Sequence, residues 1–132
     1  MKVFTLICRV LLGLGFSVFG LNILHSFMPQ PPMPEGSPVA QFMTVMGPSH
    51  WMSVVGAFQL LGGLLVLAGR TAPLGLVILG PILVNILAFH ALLEGGNGIA
   101  PGLVFSAMEI FLIYAYRANF RGIFTTSAKP TY

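Results

Sequence analysis

The stretch that most restricts the fold is residues 73–94, PLGLVILGPILVNILAFHALLE, an apolar run without a single Lys or Arg. A helix rises about 1.5 Å per residue, so about twenty apolar residues cross the roughly 30 Å hydrocarbon layer of a bilayer. No water is present there to satisfy a free amide or carbonyl, so the segment has to be helical. Composition supports this. Of 132 residues 56% are hydrophobic and 7% charged, against about 25% charged in a soluble domain. The run nevertheless holds Pro81, Asn85, His90 and Glu94, four residues that lipid alone does not favour.

The rest of the chain repeats the pattern. The N-terminal MKVFTLICRVLLGLGFSVFGLNILHSFMP has a basic start before an apolar run. It is too long for a signal h-region, Arg9 interrupts it, and no small-x-small cleavage site follows. It is read as a retained helix spanning residues 10–28, with Arg9 extended to the near interface. Residues 29–49 contain six of the ten prolines, which excludes a long helix. Within them, residues 39–46 suit a short interfacial turn with Phe42, Met43 and Met46 pointing inward, or a plain surface loop. A second helix is expected over 50–68, with Trp51 at the level of the interfacial aromatic belt and Gly56, Gly62, Gly63 and Gly69 allowing close backbone approach. The third is expected over 73–94 and the fourth over 99–116, with Pro73 and Pro101 in first turns, where a missing N–H does no harm. Residues 126–132 are expected to be a mobile tail. The result is an all-α integral membrane four-helix bundle.

Four spans put both termini on one side. All six basic residues, Lys2, Arg9, Arg70, Arg117, Arg121 and Lys129, fall there, while Glu35 and Glu94 fall on the other. Basic loops stay cytoplasmic, which predicts an N-in, C-in orientation. A net charge of +3 spread over segment ends makes no nucleic-acid patch. The lone Cys8 allows no internal disulfide.

Counted from these helix ends, Asn22, Gln59, Asn85 and Glu109 all lie about 15 Å deep, one per helix. Either they line a polar cavity for a head group, a quinone ring or a proton, or they bond to one another and fix helix register. An ionised carboxylate at that depth costs at least about 2.5 kcal/mol, so Glu109 is expected to be protonated. Short matches, Asn22-Ile23-Leu24 with Asn85-Ile86-Leu87 and Gly56-Ala57-Phe58-Gln59 with Ser106-Ala107-Met108-Glu109, fit a tandem two-helix repeat. At the outer ends lie His25, His50, His90 and Glu94, either ordinary interfacial residues or ligands for a metal or haem. On a straight helix His90 points about 140° away from Asn85, so the two groups need not form one site.

The residues LLGLGFSVFGLNILHSF, the proline-rich loop, GAFQLLGGLLVLAGRTAPLGL and PILVNILAFHALLEG together resemble the DoxX-like family of small four-helix bacterial membrane proteins over most of residues 9–117. The resemblance implies a bundle in the bacterial cytoplasmic (inner) membrane. It also implies kinship with subunits of membrane redox complexes, among them a thiosulfate to quinone oxidoreductase. Relatives with paired cysteines are not matched, since Cys8 stands alone. The expected role is an accessory subunit of a quinone-linked redox system, in contact with partner subunits or further copies of itself and holding a quinone or lipid between helices. The alternatives are a small transporter with a mid-membrane polar path, and a haem or metal redox protein built on the outer histidines.

Overall fold

The structure is a computed structural model describing residues 1–132, and all of its regular secondary structure is helical, with no strand. Helix α1 spans Lys2–Leu24, α2 Pro38–Met46, α3 Trp51–Ala68, α4 Ala72–Ala88 and α5 Ile99–Ala115. A π-helical turn, Phe89–Leu93, continues α4, and a 3-10 turn, Arg117–Phe120, follows α5. Residues beyond Phe120 carry no helix and are exposed.

Helix α1 starts at Lys2 rather than residue 10 and stops at Leu24 rather than residue 28. No proline or glycine opposes helix before Arg9, so the first turns form. At the other end the Asn22 Oδ1 accepts the amides of Phe27 (3.0 Å) and Met28 (2.8 Å), which turns the chain out of the helix. Helix α2 begins where the Ser37 hydroxyl accepts the Ala40 amide (3.2 Å), with Pro38 in its first turn. This is the usual side-chain cap for amides that lack a helical partner. Val39 is buried, Phe42, Met43 and Met46 are half-buried, and the Phe42 ring meets Phe89 edge-on at 5.4 Å. The short helix thus touches the α4 end of the bundle through Phe42, at the end remote from the termini.

Helices α1, α3, α4 and α5 pack in that order as an antiparallel ring, with α5 returning to α1. The α1–α3 seam is the closest. A β-carbon added at Gly63 would stand 2.6 Å from the Ser17 amide nitrogen and 2.8 Å from the Gly13 carbonyl oxygen, and one at Gly20 would stand 2.8 Å from the Gly56 carbonyl oxygen. Two pairs of glycines seven residues apart, about two helical turns, thus place backbone against backbone. Gly62 and Gly75 repeat the device between α3 and α4, a β-carbon on Gly75 lying 2.7 Å from the Gly62 carbonyl oxygen. Gly69 does something different: at φ +79 it ends α3, in the left-handed region that glycine tolerates.

Cys8, Leu12 and Phe16 of α1, Val66 of α3, Leu76, Leu79 and Leu83 of α4, Leu112 of α5 and Phe120 form one buried cluster. They come mainly from the helix halves nearest the termini. Outward faces remain apolar: Leu11, Leu14, Val18, Leu61, Leu64, Val77, Val84 and Ile110 are all exposed. So much apolar surface is stable only against lipid or another apolar partner. Three helices, Lys2–Leu24, Trp51–Ala68 and Ala72–Leu93, are long and apolar enough to cross a bilayer. By length and composition the chain is a helical membrane protein. Helix α5, with 17 residues, is a shorter apolar helix packed against α4 and α1.

Candidate functional site

The four residues expected at one mid-membrane level divide among four surroundings. Gln59 is buried in the α1–α3 seam, where the β-carbon that Gly20 lacks would approach its Cβ at 3.0 Å. Glu109 is buried on the α4 side of α5, its Oε1 3.7 Å from where a β-carbon on Gly80 would stand. Asn22 is buried too, but it lies two residues from the end of α1 and its carbonyl oxygen is committed to Phe27 and Met28. Asn85 is exposed and donates 2.9 Å back to the Pro81 carbonyl of its own helix. The expected layer is therefore not assembled. A helix turns about 100° per residue, so equal depth says nothing about facing, and the earlier start of α1 moves Asn22 from its middle to its end.

What remains is Glu109. It is 4% exposed, and neither carboxyl oxygen has a hydrogen-bond partner. A polar group out of water without a partner costs several kcal/mol in an apolar medium, so a carboxyl held in this way is uncommon unless it is used. Its setting is permissive. Gly80 presents no side chain to it, and the neighbouring Pro81, lacking an N–H, removes one α4 backbone hydrogen bond. The Ser17 hydroxyl is the other buried side-chain group without a partner. It faces Gly63 across the α1–α3 seam, where nothing larger fits.

On the α1 side of α5 lies a groove of about 630 Å³ between α1 and α5, lined by Leu14, Val18, Phe19, Val104, Phe105 and Met108 among others. Met108 precedes Glu109 in the chain, so the groove and the carboxyl flank the same turn of α5. Gly15 faces Phe105, and Phe16 (tilted) and Phe19 (edge-on) meet that ring at centroid distances of 5.6 and 6.3 Å. This groove was not apparent in the sequence. Its lining residues look like ordinary lipid-facing positions until two helices are placed side by side.

The outer histidines do not converge. His25 is exposed just beyond α1, and His50, also exposed, takes φ 61 immediately before α3. His90 is half-buried, pairs through Nδ1 with Glu94, and lies 3.1 Å from the Asn97 carbonyl. The ring also meets Phe89 edge-on, and Gly98 fits closely against it. His90 and Glu94 thus tie the turn leading into α5 together. No three His, Cys, Asp or Glu side chains gather as a metal site requires, so the haem or metal alternative lacks an assembled donor set.

At the other end of the molecule a recess of about 460 Å³ is lined by Lys2, Thr5, Leu6, Arg9, Gly69, Arg70 and Tyr116. It shows that the start of α1 and the end of α5 lie together. Compared with known protein families, curated proteins and solved structures, the chain gives no match.

Proposed function

We propose that the protein is a DoxX-like four-helix subunit of the bacterial cytoplasmic membrane, with both termini cytoplasmic. In this reading α5 crosses the bilayer with the three longer helices. The subunit is an accessory component of a quinone-linked redox system and holds a quinone or lipid along the α1–α5 seam. The observation that carries the reading is the apolar groove lined by Phe105 and Met108, with the partnerless Glu109 carboxyl on the same turn of α5. An isoprenoid or acyl tail matches a groove walled by Leu, Val, Phe and Met side chains. A protonated Glu109 supplies one donor and acceptor capacity for a head group that reaches it. The charge distribution supports the orientation, because all six basic residues lie near the termini or the α3–α4 turn.

Native mass spectrometry of the protein in mild detergent, followed by solvent extraction, tests this. The wild-type protein is expected to carry quinone or lipid, and Val104→Trp, which fills the groove, to lose it at least tenfold. A wild-type protein that emerges bare and without partner subunits overturns the reading.

A second reading, a small transporter, draws on Glu109 and Pro81 instead. A buried carboxyl without a partner beside a broken helix ladder is a suitable proton carrier. It predicts proton-coupled flux in liposomes that Glu109→Gln abolishes, whereas Val104→Trp leaves it intact.

A further inference from the structure

The groove and Glu109 leave unexplained the recess between the termini and the α3–α4 turn. Three cationic side chains line it, Lys2 and Arg9 from α1 and Arg70 from the turn, with the Tyr116 ring as a fourth wall. Three cations in one recess repel one another unless something negative is near. No acidic side chain supplies it, and the carbonyl ends of α3 and α5 beside the recess offer only about half an elementary charge each. The sole ion pair is His90–Glu94 at the far end, Glu35 is in the loop after α1, and Glu109 is enclosed in the bundle. Arg117, close by in sequence, is engaged elsewhere: it donates to the Tyr114 carbonyl at 3.0 Å and lies 4.4 Å over the Tyr114 ring.

Arg9 is the informative member. It is half-buried and its guanidinium lies directly against Gly69, where any side chain would collide with it. Gly69 also sits at φ +79, so its glycine both forms the turn and leaves the space Arg9 occupies. The Arg9 guanidinium therefore lies along the α3–α4 turn. A half-buried guanidinium with five donors and no carboxylate partner is free to take a bidentate oxyanion, and phosphate matches that geometry.

The position of the recess selects the source of that phosphate. Leu6 and Ala68 line it beside the cations, and the flanking Val3, Leu6 and Ile7 are exposed apolar side chains on α1. Polar recess and apolar helix surface thus meet at one level, the arrangement of a lipid whose head group is bound while its tails run along the helix. Basic recesses between membrane helices commonly hold anionic lipid head groups. We propose that Lys2, Arg9 and Arg70, with Tyr116, form a binding site for the phosphate of an anionic phospholipid in the leaflet on the side of the termini. Arg9 and Arg70 grip the phosphate oxygens, Lys2 adds charge at the mouth, and the tails follow Val3, Leu6 and Ile7.

The test compares wild-type protein with Lys2→Gln/Arg70→Gln in nanodiscs of phosphatidylcholine doped with phosphatidylglycerol, reading lipid retention by native mass spectrometry. Both substituted residues are exposed, so the fold is expected to persist. Arg121→Gln/Lys129→Gln removes equal charge outside the recess. A charge-assisted contact to a bound phosphate is worth about tenfold or more in affinity, so the recess variant is expected to retain phosphatidylglycerol at least about tenfold less, whereas the control variant, which touches no bound head group, stays within about twofold of wild type. Equal losses in the two variants would mean diffuse attraction and overturn the site. Displacement of phosphatidylglycerol by millimolar inorganic phosphate would assign the recess to a soluble anion and overturn the lipid.

Discussion

Helix α1 has two neighbours and meets them in opposite ways. Against α3 it presents Gly13 and Gly20 to Gly63 and Gly56, and the backbones come close enough that no β-carbon fits. Against α5 it presents Phe4, Phe16 and Phe19 to Phe111 and Phe105, with ring centroids 4.8 to 6.3 Å apart and a groove beside them. The first seam gains its stability from many short contacts along facing helices, and such packing has no slack. The second rests on the ends of side chains, which have rotamers to spare. One side of α1 is thus tightly fixed, and the other borders an open apolar groove.

Alanine at the two kinds of seam separates them most sharply. Gly63→Ala drives a methyl into the Ser17 amide and the Gly13 carbonyl, and is expected to destabilise by about 2 kcal/mol or more. Unfolding in a mixed detergent series, followed by the single Trp51, reports it. An effect below about 0.5 kcal/mol would mean that the seam can open, removing the contrast.

Glu109→Leu asks whether the adaptable side bears a cost for its polar group. No hydrogen bond is lost, since the carboxyl has no partner, so stability is expected to rise by about 1–3 kcal/mol while quinone or lipid retention falls. A loss of stability would show that the carboxyl has a structural partner after all, and would move α5 towards the fixed side.

The smallest effect is expected for Gly15→Ala. The added methyl meets the Phe105 ring tip, 2.6 Å from Cζ, and that ring has a groove beside it to turn into. A cost below about 1 kcal/mol is expected, with a narrower groove and weaker ligand retention. If Gly15→Ala matched Gly63→Ala in the same unfolding series, the two seams would be equally rigid.

Much of this could be read from the residues in order, and the limits of that reading are specific. The proline-rich segment, the Pro73 and Pro101 starts and the apolar runs placed the long helices within a few residues at most ends. Of the four glycines expected to allow close backbone approach, Gly56, Gly62 and Gly63 do so, while Gly69 ends α3 and faces Arg9. The common polar layer failed because it was built on depth alone. Asn22 lies in the last turn of α1 and its side chain holds the turn that follows, and Asn85 is exposed although it matches Asn22 in its Asn-Ile-Leu triplet. The histidines failed in the same manner, sharing a level without sharing a direction.

Composition and the length of the apolar runs settle the solvent. So few charges and such long apolar runs leave a helix in lipid as the satisfied state of the backbone, and that requirement is met residue by residue, without reference to neighbours. Tertiary structure decided which groups meet. It matched Gly13 to Gly63 and Gly20 to Gly56, left Glu109 without a partner, opened a groove between α1 and α5, and brought Lys2, Arg9 and Arg70 into one recess. The reason is geometric. A single residue of register moves a side chain by about 1.5 Å and about 100°, and only packing against other helices fixes both.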